Sequence, residues 1–279
     1  MEEDAINIGH PPNTEHPGIK VSMRKNTNTN AQKPAIEARF LNIDYKTGKG
    51  KTRRSVKDLS FEVRKGEIVG FIGPNGAGKT STIKALLDFI PSPHGTRFIN
   101  GIPCDDPRSR ASLGYMPEIS YYPKYLTLSE FLHTCAAVSG VPRHLRKDAV
   151  LSVVHRVGMD EHLRSRLSGF SKGMLQQAGC AQALVHNPDI LILDEPMSGL
   201  DPIARMRMRH LLADLRAEGK TILFSSHELG EIEMVADRIL LMNQGELIFQ
   251  GTIDEAVGRE QNLEQAFLHL LGEELPWAA

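Results

Sequence analysis

The sequence predicts an α/β fold: a core with a mainly parallel sheet, an antiparallel β subdomain and an inserted helical subdomain. Three observations carry this. Asp189-Ile190-Leu191-Ile192-Leu193 is a continuous apolar run, the pattern of a strand buried on both faces. After residue 171 strands alternate with helical segments, the order that builds a mainly parallel sheet covered on both faces. Between about residues 120 and 170 the texture changes to helix, which reads as an insertion into that core.

In chain order, residues 1–34 hold much Asn, Pro, Lys and Thr and hardly any large apolar side chain, so they cannot bury enough surface to offset ordering entropy. They read as a disordered tail. Ile36, Ala38 and Phe40 alternate before Leu41 and Ile43 shift the register, predicting a strand with an irregularity that ends near Tyr45. Leu59-Ser60-Phe61-Glu62-Val63 alternates cleanly and predicts its antiparallel partner. Between them Lys46, Lys49, Lys51, Arg53, Arg54 and Lys57 crowd what reads as a solvated hairpin loop; contact with anionic lipid or nucleotide is the other reading.

Glu67 to Ile72 predicts a buried strand, and Thr82 to Leu87 has helical spacing. Arg97-Phe98-Ile99 predicts a short strand ending in an Asn100-Gly101 turn, and Gly114-Tyr115-Met116 a strand leading to Pro117-Glu118. In the insertion Leu128, Phe131, Leu132 and Ala136 share one helix face, and Val150, Val153, Val154 and Val157 another. Ser171 opens a helix to about His186, and Pro202 one to about Glu218. Strand Thr221 to Phe224, a helix from Glu228, strands Arg238 to Met242 and Glu246 to Phe249, and an amphipathic helix from Asn262 to Leu271 complete the order.

With 33 basic against 34 acidic residues the net charge is −1, so no overall field favours nucleic acid, and none is expected as a partner. Cys104, Cys135 and Cys180 are odd in number and far apart, which fits free thiols in a reducing compartment. No stretch approaches the ~20 apolar residues a bilayer span requires, and Met1-Glu2-Glu3-Asp4 is acidic where a secretory signal is basic. A cytoplasmic location is the expectation.

The chemistry concentrates at Gly73-Pro74-Asn75-Gly76-Ala77-Gly78-Lys79-Thr80-Ser81, set between the strand and helix predicted around it. Such glycines let successive backbone N–H groups turn inward on an anion, and the helix adds its positive N-terminal end. Lys79 is expected to reach the β- and γ-phosphates of a nucleotide, and the Thr80 hydroxyl a Mg²⁺ bound to them. Leu193-Asp194-Glu195-Pro196 forms a second element, delivering two carboxylates at the C-terminal edge of a parallel sheet, where ligands bind. Asp194 is expected to hold the metal through its water shell, and Glu195 to polarise the attacking water.

These two elements, with Phe170-Ser171-Lys172-Gly173-Met174, Ser198-Gly199-Leu200-Asp201-Pro202 and Ser226-His227-Glu228 in this order, resemble an ATP-binding-cassette (ABC) ATPase from about Ile36 to Leu271. The resemblance implies a P-loop NTPase core in an ABC ATPase domain over 35–258, with a short helical extension over 259–279. It implies ATP and Mg²⁺ as ligands. Tyr45 matches the aromatic that stacks on adenine, a contact worth about 1 kcal/mol or more. Ser171 and Gly173 match the signature that caps the γ-phosphate held by another subunit, Asp201 a turn on the dimer interface, and His227 the switch histidine on the γ-phosphate.

Two spellings depart from the common pattern: F-S-K-G-M replaces L-S-G-G-Q, and Glu118 stands where the metal-sensing glutamine is usual. Both resemble cassettes of type-2 exporters. A single cassette then holds half of each site, so the resemblance implies a second ATP-binding subunit, and an integral membrane permease docked beside Glu118 and the Tyr121 to Val141 segment. The alternative is a soluble ABC-type ATPase acting in translation or DNA repair; neither the tandem cassettes nor the long coiled coil usual there is found in these residues.

Overall fold

The computed structural model describes residues 33–47, 51–92, 94–119 and 121–272. Residues 1–32 of the expected tail, Lys49 of the basic segment and residues 273–279 lie outside them. The chain runs through β1 (Ile36–Thr47), β2 (Lys51–Val63), β3 (Ile68–Ile72), α1 (Lys79–Leu86), β4 (His94–Ile99), β5 (Ile102–Pro103) and β6 (Leu113–Met116). The helices α2 (Leu128–Val138), α3 (Arg146–Arg156) and α4 (Lys172–Leu184) follow. Then come β7 (Ile190–Asp194), α5 (Pro202–Ala217), β8 (Thr221–Ser225), α6 (Leu229–Val235), β9 (Arg238–Asn243), β10 (Glu246–Thr252), α7 (Ile253–Val257) and α8 (Leu263–Leu271).

Among the described residues the strands form two sheets. One is antiparallel, in the order β2-β1-β4-β5. The other runs β10-β9-β3-β8-β7-β6 and is parallel from β9 to β6, with β10 antiparallel at its edge. Every residue of β3, β7 and β8 is buried, as their continuous apolar runs require.

The two faces of this sheet serve different cores. Ile68, Ile72, Leu191, Leu193, Ile222 and Phe224 point to one side, where they meet Leu128, Phe131, Leu132, Val150, Val153 and Val154 of the inserted helices, and Leu263 of α8. The alternate residues Val69, Phe71, Ile190, Ile192 and Leu223 meet the antiparallel sheet and α1. A period of two therefore sorts each strand between two partners.

The basic segment is not the loop its composition suggests. The β1–β2 ladder runs on to Thr47 opposite Lys51, with Asp44 opposite Arg54 and Tyr45 opposite Arg53. Arg54 holds Asp44 through bonds of 2.9 and 3.2 Å, and Lys57 reaches Glu246 at 3.0 Å. Asp44 and Glu246 thus pair with two of these cations, Arg54 and Lys57. Register shifts between Ala38 and Asp44 account for the irregularity expected after Phe40, because each bulge resets the alternation.

Helix starts are set by local chemistry. Ser171 and Asp201 accept from Met174 and Ala204 N–H as N-caps of α4 and α5, and Thr127 with Glu130 closes a capping box on α2. The helix α1 begins at Lys79, three residues ahead of the apolar spacing, because Gly78 turns the chain with φ 113°. Among the described residues no helix is long and apolar enough to cross a membrane.

Candidate active site

Parallel strands β3, β7 and β8 end on the same edge, so the loops after them converge. There Asn75, Gly76, Ala77, Gly78, Lys79, Thr80 and Ser81 line a cavity of about 350 Å³ with Ser55, Glu118, Asp194, Glu195 and His227. Strand β6 adds Glu118 two residues past its end.

The phosphate loop curls because Gly78 occupies a conformation that L side chains rarely adopt, and a Cβ there would lie 2.8 Å from the Ser55 carbonyl oxygen. Lys79 is buried, and its ammonium donates to the Gly73 oxygen at 2.6 Å and to the Pro74 oxygen at 3.3 Å. Burial lowers its pKa from the usual lysine value, while Glu195, Asp194 and Glu118 pull it back up. The ammonium and three carboxylates thus share one pocket, a polarised site for a phosphate with its counter-cation.

Asp194 and Glu195 are both buried. The Ser225 hydroxyl, at the end of β8, donates to Asp194 Oδ1 at 2.5 Å and accepts from Glu195 N–H at 3.0 Å. Gln176 Nε2, from α4, donates to the Glu195 carbonyl at 2.7 Å. Glu195 itself has φ 54°, a left-handed conformation held by these bonds. Its Oε2 lies 2.8 Å from His227 Nδ1. A carboxylate only accepts, so Nδ1 carries the proton and Nε2 of this exposed ring is left for another partner.

Glu118, Asp194 and the Thr80 hydroxyl border the same cavity, and among the described residues no three His, Cys, Asp or Glu side chains cluster closely enough to hold a metal by themselves. That donor set fits Mg²⁺, which keeps several waters and takes its remaining oxygens from one or two carboxylates and phosphates.

Tyr45 stands at the rim, 38% exposed, its hydroxyl 3.2 Å from Ser81 Oγ, which in turn lies 3.0 Å from Ser55 Oγ. Arg53, Arg54 and Lys57 line an adjoining cavity of about 410 Å³ whose other wall is Pro74 to Ala77. Ser171, Gly173 and Asp201 are not among the residues around the phosphate cavity. They gather elsewhere: a Cβ on Gly173 would lie 3.1 Å from the Gly199 oxygen, and Lys172 Nζ donates to Ser198 Oγ at 3.2 Å.

Ser55, Ser225 and Gln176 are the contributors that sequence reasoning missed. Each acts through a neighbour distant in the chain, and no local spacing announces it.

Fold and cavity together define a phosphate-loop nucleotide-binding module. The ABC transporter family model matches residues 56–198. An uncharacterised ABC transporter ATP-binding protein of Nostoc sp. (strain PCC 7120) is 39% identical over 237 residues, covering 84% of this chain and 69% of that protein. The ABC transporter ATP-binding protein NatA of Bacillus subtilis is 31% identical, covering 80% and 92% respectively. A solved ATP-binding subunit of an ABC transporter superposes with TM-score 0.77 at 28% identity, over 85% of this chain and 99% of that one. The chain belongs to the ABC transporter family, as an ATP-binding subunit whose cassette is an ATPase.

Proposed function

We propose that this chain powers an exporter: two ATP-binding subunits, two copies of this chain in the simplest case, close on ATP at the cytoplasmic face of a membrane and drive a separate permease. The observation that carries this reading is the separation of Ser171 and Gly173 from the cavity of Lys79 and Glu195. A site that needs both must borrow one half from a second subunit. Ser171 would then offer its hydroxyl and the N-terminal amides of α4 to the γ-phosphate held by its partner.

Within one site, Lys79 would turn its ammonium from the loop carbonyls to the phosphates. Glu195 would take the proton of the attacking water, and His227, when both ring nitrogens carry protons, would hold Glu195 Oε2 through Nδ1 and donate from Nε2 to the γ-phosphate. Ser225 keeps Asp194 aimed at the metal position. Thr80, Asp194 and Glu118 would hold Mg²⁺, which when bound offsets charge on the β- and γ-phosphates. Tyr45 would stack on the adenine.

The permease contact is read from Ile119, Tyr121 and Tyr125, which are 65%, 93% and 75% exposed beside Glu118. The spellings at Gly173 and Glu118 resemble those of exporter cassettes, which is what supports the direction.

The test measures phosphate release and ATP-dependent pairing of the full chain. Glu195→Gln should abolish release and trap pairs with ATP, and Ser171→Arg should abolish both. Pairing and turnover that survive Ser171→Arg would sink the two-subunit site.

A further inference from the structure

Beyond the groups proposed to face the nucleotide, one cation joins the turn beside Gly173 to the segment that carries His227. Arg205 sits on the first turns of α5 with its side chain 27% exposed. Its Nε donates to the Leu200 carbonyl oxygen at 3.1 Å, and its Nη1 donates to the Glu228 carboxylate. Leu200 is buried and packs on the signature turn, where a Cβ on Gly173 would lie 3.5 Å from Leu200 Cδ2. Glu228 follows His227 directly and stands at the N-cap of α6, yet its side chain makes no capping bond and turns to Arg205 instead.

We infer that Arg205 is a positioning residue that ties the signature turn, through Leu200, to the backbone carrying His227, through Glu228. This rests on the two-subunit site proposed above. A fork with several fixed donors can hold a carbonyl and a carboxylate at once, which a lysine ammonium on a flexible stem cannot do with the same geometry. When a second subunit engages the signature turn, any shift of Leu200 reaches His227 through this fork, and with it the Glu195 oxygen that His227 holds.

The competing explanation is that Arg205 only fastens α5 to α6. The neighbouring pair supplies the control: Arg209 Nη1 donates to Glu231 Oε2 at 2.8 Å across the same two helices, with neither Leu200 nor Glu228 in the bond, and Arg205 Nη1 reaches this carboxylate only at 3.9 Å. Arg205→Ala should lower kcat about tenfold with KM changed less than about twofold, because the loss is of alignment and not of nucleotide contacts. Glu228→Gln should do the same, and the double variant should be no worse than either single one. Arg205→Lys should recover only part of kcat. Arg209→Ala should keep kcat.

A second readout needs no turnover. Amide hydrogen exchange without nucleotide should quicken at 198–201 and at 226–229 together in Arg205→Ala, and at neither in Arg209→Ala. Equal kcat in Arg205→Ala and Arg209→Ala, multiplying effects of the two single changes, or exchange that quickens in only one segment would each overturn the role of Arg205. A wild-type chain without turnover, or one that keeps it after Glu195→Gln, would sink the proposed function, and the exchange comparison would still judge Arg205.

Discussion

Gln176 Nε2 lies 2.7 Å from the carbonyl oxygen of Glu195, so the helix that begins at the signature serine holds the backbone of the carboxylate proposed as base. Both residues are buried and 19 positions apart in the chain. Gln176→Leu removes one of that carbonyl's two donors, the Ser198 N–H at 3.1 Å remaining, a loss of about 0.5–1.5 kcal/mol. It also frees a backbone that holds φ 54°. The expected outcome is a lower melting temperature with phosphate release reduced more than the stability loss explains. Full turnover in folded Gln176→Leu would show that Glu195 needs no such hold.

The phosphate loop admits no side chain at Gly78, where φ is 113° and a Cβ would strike the Ser55 carbonyl. A non-glycine residue so placed carries about 1–3 kcal/mol of strain. Gly78→Ala should therefore lose binding of a fluorescent ATP analogue while its circular dichroism keeps the native helix content. Wild-type affinity in that variant would contradict the role given to the loop.

His186 gives the fold a pH dependence. Its Nε2 lies 3.2 Å from the Leu113 oxygen, and its Nδ1 is buried with no hydrogen-bond partner. Burial holds its pKa below the usual histidine value; the Leu113 bond opposes this and Lys220 reinforces it. The unfolded chain therefore takes up the proton first as pH falls. The stabilisation is fully present above the unfolded value of about 6.5 and is lost as pH drops through the lower folded one. Chemical denaturation from pH 8 to 5 should show a loss on acidification that is smaller in His186→Gln. An unchanged slope would remove His186 as the cause.

The thiols should be silent in the native protein. Burial pushes Cys104 up to about 11, Cys135 up to about 11 and Cys180 up to about 12. At pH 8 almost no thiolate exists to react. Native protein should label with iodoacetamide far more slowly than denatured protein, which should take up three equivalents. Fast native labelling would place a thiol outside the interior.

Much of the site was legible because its chemistry is written contiguously. Gly73 to Ser81 and the strand ending in Asp194-Glu195 announce themselves by residue type and spacing, and the structure brings Asn75 to Ser81, Asp194 and Glu195 around one cavity, while Gly73 and Pro74 meet it through Lys79. The N-caps Ser171 and Asp201 were legible for the same reason, since a cap bond reaches only three residues along the chain. Ser225 and Gln176 were not. A serine closing an apolar strand and a glutamine within a helix are common, and their bonds to Asp194 and Glu195 cross 31 and 19 residues. The stretch from Lys46 to Lys57 misled because its side chains are mostly basic or polar, so the backbone ladder that makes it strand leaves no apolar alternation to read.

The sequence by itself determined most of the kinds of element, their order and which polar residues stand in the loops at the strand ends, because backbone propensity, apolar period and loop chemistry act over a few residues. Only the tertiary structure decided that β8 lies between β3 and β7, which carries His227 and Ser225 to the carboxylates, and that Arg205 spans from Leu200 to Glu228. Strand order is settled by burial of whole faces against distant partners, and that competition leaves no mark in any short stretch of chain.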